Sequence, residues 1–182
     1  MKMKKLVFVI QKHEATSLHY DFRLEIGGVM PSWAIPKGPT LDNTKKRLAM
    51  ITTDHDLEYR KFEGVLPEGS YGAGPVMIWD EGTYIPEIEI SKGVRKAIED
   101  RAEGEKVMEE GLKKGEIKFF LEGEKLKGSF ALVKTHGFGP KNAWLLIKHN
   151  DEFVERDYDA NDYSKSAKSG KSIEQIKSSH HT

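Results

Sequence analysis

The chain is patterned mainly in twos. His19, Asp21, Arg23 and Glu25 alternate with Tyr20, Phe22, Leu24 and Ile26. Successive side chains of a strand point to opposite faces, so this run predicts a strand with one charged and one apolar face, closed by Gly27-Gly28. The opening MKMKKLVFVIQ reads as a first strand, SWAIP (32–36) as a short apolar piece and LAMITT (48–53) as a further strand. EGVLPEGSYGAG (63–74) reads as a run of turns. After it, Val76, Ile78 and Asp80 alternate with Met77, Trp79 and Glu81, and IKFFLEG (117–123), GSFALVKT (128–135) and NAWLLIKHN (142–150) supply three more strands. About seven or eight short strands bounded by Gly and Pro predict a mostly β protein, a small antiparallel barrel or sandwich.

One stretch departs from that period. In ISKGVRKAIEDRAEGEKVMEEGLKKG (90–115), Val94, Ala97 and Ile98, then Val107, Met108 and Leu112, fit amphipathic helical spacing with an interruption near Gly104. This predicts a helical insertion over about residues 88–115, carrying one or two surface helices. From Asp159 the chain turns rich in Ser, Lys and Gly, which predicts a flexible tail (159–182) following a single domain of residues 1–158.

Composition narrows the chemistry. The absence of cysteine excludes disulfides, thiolate metal sites and a cysteine nucleophile. Lys plus Arg equals Asp plus Glu at 29 each, so contact with nucleic acid requires a local basic patch in place of a global field. The basic opening lacks a small-residue cleavage site, and no apolar run approaches the roughly 20 residues of a membrane span. The expectation is a protein without a membrane segment.

The residues with chemistry are concentrated in HEATSLHYDFRLE (13–25). His13, His19 and Asp21 offer two imidazoles and a carboxylate, a mixed set suited to manganese, iron or zinc. His19 and Asp21 share a strand face, and His13 reaches the same point across the preceding turn. Arg23, two positions beyond the carboxylate, suits an anion bound at the metal, though a rim ion pair with Glu25 or Asp21 is the plainer reading. Lys37 sits on a constrained Pro-Lys-Gly loop, Lys45, Lys46 and Arg47 lead into the LAMITT strand, and His55 and Tyr59 follow it. Each alone reads as a solvated surface residue. Together, basic side chains beside a metal are the equipment of phosphoryl transfer.

HEATSLHYDFRLE, SWAIPKGP, RLAMITTDHDLEYRKFEGVLPEGSYGAGPVMIWDEGTY, GSFALVKTH and NAWLLIKHND together resemble the 3'-phosphoesterase domain of bacterial DNA ligase D and its free-standing relatives, over residues 6 to about 152. The resemblance implies a small β-barrel with a manganese-dependent site, zinc or another divalent transition metal being the alternatives. Such a site removes a 3'-terminal ribonucleoside to leave a 3'-phosphate and then hydrolyses that phosphate. It also implies that His13, His19 and Asp21 hold the metal while Arg23, Lys37, Arg47, His55 and Tyr59 line the phosphate pocket, His55 donating toward the leaving oxygen. The implied partners are DNA or RNA 3' ends in repair, with a ligase or polymerase in trans, for a cytoplasmic monomer.

Departures qualify this picture. The chain starts twelve residues before His13, which points to phosphate removal over ribonucleoside removal. Thr53 replaces an acidic residue expected before Asp54-His55. Two other readings stand beside it. His19, Asp21 and His55 also fit the facial triad of a non-haem iron oxygenase, and the whole cluster fits a non-catalytic nucleic-acid end-binding module.

Overall fold

The computed structural model describes residues 5–69, 72–137 and 139–179. In chain order it contains β1 (Leu6–Glu14), β2 (Leu18–Leu24), β3 (Val29–Ile35), β4 (Arg47–Asp56), a 3-10 turn (Leu57–Lys61), β5 (Gly64–Leu66), β6 (Gly74–Ser91), β7 (Val94–Ala97), α1 (Arg101–Lys114), β8 (Glu116–Gly123), β9 (Lys127–Lys134), β10 (Ala143–Lys148) and α2 (Ile173–Ser179). Eight strands close antiparallel in the order β1-β2-β3-β4-β10-β9-β8-β6, with β6 returning to β1. The closure leaves no free edge within the ring. β5 and β7 lie off the ring, each paired to β6. The expected small antiparallel barrel is therefore present.

Alternation decides which face each strand buries. Tyr20, Phe22 and Leu24 of β2 point into the barrel, where Phe22 meets Phe119 (ring centroids 5.7 Å apart), Tyr20 meets Trp79 (5.6 Å) and Trp33 meets Trp144 (5.5 Å). Such pairs add roughly 0.5–1.5 kcal/mol each beyond the burial of their area. Gly27 (φ 65°) and Gly28 (φ 83°) occupy the two left-handed positions of the tight β2–β3 hairpin, which holds the register and so aims the alternate face.

The first strand is longer than its apolar run suggests. His13 lies within β1 directly opposite His19 of β2, so it reaches the cluster as a cross-strand neighbour and not across a turn. Residues 1–4 of the predicted strand fall outside the described residues. So do Ser70 and Tyr71 of the predicted run of turns, which otherwise includes the short strand β5.

The helical insertion is shorter than predicted. Residues 88–91 continue β6, and a turn at Gly93 returns the chain as β7. Helix begins only at Arg101, where the Asp100 carboxylate accepts the Glu103 N–H (2.9 Å), and ends at Gly115 in the left-handed conformation. Glu-Ile-Glu-Ile-Ser is a period-two run, and it prevails over the weaker helical spacing of Val94, Ala97 and Ile98. Gly104 does not interrupt the helix but permits close packing, since a Cβ there would stand 3.0 Å from Pro86 Cγ.

The C-terminal segment is also packed where a flexible tail was expected, as far as Ser179. Tyr158, Ala160, Ile173 and Ile176 are buried with the core, Tyr20 Oη donates to Asn161 Oδ1 (2.8 Å) and Trp79 Nε1 to the Tyr163 carbonyl (2.6 Å). Within the expected tail, Ala160, Ile173 and Ile176 suffice because they meet the barrel at spaced positions, and a Ser/Lys-rich composition hides them. No helix among the described residues is long and apolar enough to cross a membrane.

Asp80 ties the β8–β9 turn to β6. Its carboxylate accepts the N–H groups of Glu81 (3.0 Å), Glu124 (2.8 Å), Lys125 (3.1 Å) and Leu126 (2.9 Å), while burial pushes its pKa up despite those donors. Asp80→Ala should lower unfolding free energy by at least about 3 kcal/mol, because the donors it leaves behind cost about 1–3 kcal/mol each when buried without a partner. Urea denaturation followed by tryptophan fluorescence measures this, and a change below about 1 kcal/mol would mean that water replaces the carboxylate.

Candidate active site

The charged face of β2 points away from the barrel interior yet is buried. Gln11, His13, Asp21 and Arg23 are 0%, 8%, 7% and 3% exposed. Residues 57–66 fold across this face: Gln11 Nε2 donates to the carbonyls of Tyr59 (3.0 Å) and Phe62 (3.1 Å), and Leu57 packs on a small outer cluster of Val9, Met30 and Ile78. The polar side chains of this face thus lie between β1 and β2 on one side and the Tyr59 segment on the other.

His13, His19 and Asp21 converge within it, with ligand atoms all within 4.8 Å of one another. Asp21 Oδ2 stands 3.3 Å from His19 Nε2 and 3.9 Å from His13 Nδ1. His19 Nδ1 lies 3.2 Å from the Ser17 carbonyl, which can only accept, so Nδ1 carries a proton and Nε2 faces the carboxylate. His13 Nε2 is buried without a hydrogen-bond partner among the described residues. An orphaned imidazole nitrogen beside a second imidazole and a carboxylate is a donor set that a divalent transition metal would complete, so these residues fit such an ion. Gly72 (φ 77°) abuts the cluster, and a Cβ there would stand 3.2 Å from His13 Cε1.

The electrostatics follow the same geometry. The hydrogen bond to Asp21 raises the pKa of His19 against the effect of burial. Burial lowers that of His13, and the neighbouring His19 adds to the effect. Burial works to raise Asp21, but the hydrogen bond from His19 and the charge of Arg23 outweigh it and hold the carboxyl below its ordinary value. Asp21 is thus an anion between imidazoles.

Arg23 extends the cluster. Its Nε donates to Gln11 Oε1 (2.6 Å), its Nη2 to Asp21 Oδ2 (3.4 Å), and its Nη1 lies 3.1 Å from His55 Nδ1, with the guanidinium carbon 5.1 Å from the centre of the Tyr59 ring. A guanidinium has five N–H donors, so two remain for an anion. His55 Nδ1 also lies 3.2 Å from the Thr53 carbonyl, so it stands between a donor and an acceptor; burial and the Arg23 charge lower the pKa of the ring. Burial likewise raises Tyr59. The rings of His55, Tyr59 and Phe62 run in sequence, with centroids 4.9 and 5.5 Å apart.

Of the residues predicted from sequence, His13, His19, Asp21, Arg23, His55 and Tyr59 are brought together. Lys37 and Arg47 make no ion pair or hydrogen bond with the cluster among the described residues. Lys37 is exposed in the turn after β3. Arg47 stands opposite Leu146 on the side of β4 that carries Ala49 toward the core, because alternation separates it from the outer face. Of the alternative triad, His55 does not converge with His19 and Asp21 as His13 does; its Nδ1 lies 3.1 Å from Arg23 Nη1. Sequence reasoning missed Gln11, which joins Arg23 to the Tyr59 segment. A polar residue in the apolar run LVFVIQ, two positions before His13, was its only signal.

Comparison with known proteins found a matching family model and several relatives. Residues 11–134 match the family model described as DNA Ligase D 3'-phosphoesterase domain. The chain is similar to the multifunctional non-homologous end joining protein LigD of Pseudomonas aeruginosa, 44% identical over 146 residues, which are 80% of this chain and 15% of that protein. The corresponding LigD of Mycobacterium tuberculosis is 42% identical over 138 residues (76% and 15%), and that of Mycolicibacterium smegmatis 41% over 145 residues (80% and 17%). The chain thus spans only a small part of the length of these relatives.

Proposed function

Since the chain belongs to the DNA ligase D 3'-phosphoesterase domain family, we propose that it is a metal-dependent hydrolase that heals 3' ends of nucleic acid in DNA repair, removing a 3'-phosphate and, as a second activity, a 3'-terminal ribonucleoside. The observation that carries this reading is the buried His13, His19 and Asp21 cluster with the two spare N–H groups of Arg23 beside it. The three residues would hold manganese, or zinc in its place. When bound, such an ion supplies Lewis acidity toward a phosphoryl oxygen and a more acidic water.

The chain's own residues supply the rest. Arg23, held rigid by Gln11 and Asp21, neutralises charge on the phosphoryl oxygens. In the tautomer that accepts from Arg23 at Nδ1, His55 would donate a hydrogen bond from Nε2 to the departing oxygen. Tyr59 and Phe62 flank the cluster, and its burial strengthens each charge interaction within it. Without cysteine, attack by water is the simplest course. Lys37 and Arg47, outside the cluster, would act only on more distant parts of the substrate. A ligase or polymerase acting in trans would take over the resulting 3'-hydroxyl.

A gel time course on 5'-labelled primers ending in a 3'-phosphate or a ribonucleotide tests the proposal. Conversion to a 3'-hydroxyl should require manganese and stop with chelator. Binding of ends without conversion would favour the end-binding module, and turnover requiring iron, oxygen and a keto acid would favour the oxygenase. On the same gels, His55→Ala should slow ribonucleoside removal more than phosphate removal if His55 serves the departing nucleoside oxygen, since both steps expel an alkoxide but from different sugars. Equal slowing of both steps would make His55 a general phosphate contact.

A further inference from the structure

The Tyr59 wall is held on its outer side by a segment beyond the residues matched by the family model. From Tyr163 to Ser179 the chain runs along β6 and β5. The Tyr163 carbonyl accepts Trp79 Nε1, the Lys165 carbonyl accepts Lys125 Nζ (2.7 Å), and Ala167 N donates to the Ile78 carbonyl (2.8 Å). The buried Ser166 Oγ accepts the N–H groups of Lys168 and Ser169 (3.0 Å each), which shapes a turn. That turn delivers two side chains to the wall: Lys168 Nζ donates to the Lys61 carbonyl (2.9 Å), and Ser169 Oγ to Glu63 Oε2 (2.5 Å). Glu63 Oε1 in turn accepts Ile78 N (2.9 Å), so one carboxylate joins the C-terminal segment, the wall and β6. Ile173 and Ile176 anchor the far end in the core.

The wall between is then gripped from both sides. Gln11 holds the Tyr59 and Phe62 carbonyls from the site side and also accepts from Arg23, while Glu63 and the Lys61 carbonyl are held from the C-terminal side. We infer that residues 163–179 are a brace that positions the Tyr59 wall against Arg23, with Glu63 as the positioning residue through which the brace acts. This rests on the function proposed above, because what is positioned is a wall of that active site. Loss of the brace does not touch His13, His19 or Asp21, so metal is retained while the alignment of Arg23, His55 and Tyr59 loosens.

Three variants of the full chain test this: Glu63→Ala, the isosteric Glu63→Gln, and the surface double variant Lys168→Met with Ser169→Ala, which removes both ties without entering the core. Hydrogen–deuterium exchange of residues 57–66 should rise about fivefold or more in Glu63→Ala and in the double variant, as loss of about 1 kcal/mol of hydrogen bonding implies. With a 3'-phosphate primer, kcat should fall about tenfold in both while KM stays within about twofold, the size expected of a coupling contact distant from the chemistry. Manganese affinity should not change, and Glu63→Gln, able to accept from Ile78 and donate to Ser169, should recover most of the loss. Unchanged exchange would overturn the brace. Faster exchange with full kcat, or a parallel fall in manganese affinity, would overturn its positioning role. If the wild-type protein released no phosphate, the functional reading would fail, and exchange over 57–66 would still decide the brace.

Discussion

Replacing His19 by Ala should abolish phosphate release, lowering the rate at least about 1,000-fold, and remove the bound metal while leaving the barrel folded. The imidazole presents Nε2 to Asp21 with Nδ1 fixed on the Ser17 carbonyl, so truncation deletes one ligand and frees the carboxylate from its partner. Its side chain is 22% exposed and stands outside the core, so little packing is lost. Asp21→Asn should be equally inactive but less stable, because Arg23, 3.4 Å away and almost wholly buried, then lacks its counter-ion. Metal stoichiometry by equilibrium dialysis and circular dichroism on the same samples separate the effects. Full metal occupancy in His19→Ala would remove it from the ligand set, and unfolding of that variant would make any ion structural.

Arg23→Ala should keep the metal and fold but reduce the rate roughly 100-fold or more, the usual weight of a positioned donor at a reacting charge. Arg23→Lys should recover little. The guanidinium serves Gln11, Asp21 and His55 through three different nitrogens and keeps two N–H groups free, whereas an ammonium is a point charge that cannot span those partners. Loss of the Arg23–Gln11 bond also releases a tie on the side chain that holds Tyr59, so part of the loss should be shared by a Gln11→Ala variant. Single-turnover rates at saturating manganese measure these effects. Near-normal rates in both Arg23 variants would reduce Arg23 to a structural ion pair.

The parts legible in the sequence are those encoded by neighbours along the chain. The period-two face of β2 places His19, Asp21 and Arg23 together without any tertiary information, and one tight hairpin partner, β1, adds His13. His55 and Tyr59 depended on motif resemblance, because β4 and the following turn reach Arg23 only through the β3–β4 pairing and its irregularity near Met30 and Ser32. Only the motif points Arg47 to the phosphate site, and the alternation of β4 sends it to the other face. The C-terminal segment was the hardest to read. Its role rests on bonds from Lys168 and Ser169 to residues more than 100 positions earlier, and no local pattern carries those. The β6–β7 arm misled for a different reason: its spacing satisfied both periods, and pairing with β6 decided between them.

The proposed function requires one divalent ion held by His13, His19 and Asp21 beside Arg23. Anomalous diffraction at the manganese edge, from crystals soaked in manganese(II) chloride, tests that most directly. The prediction is a single peak bonded to the imidazoles of His13 and His19 and to the carboxylate of Asp21, absent from crystals of His19→Ala. A peak held by other residues, or none at all in crystals of protein that releases 3'-phosphate in manganese, would contradict it.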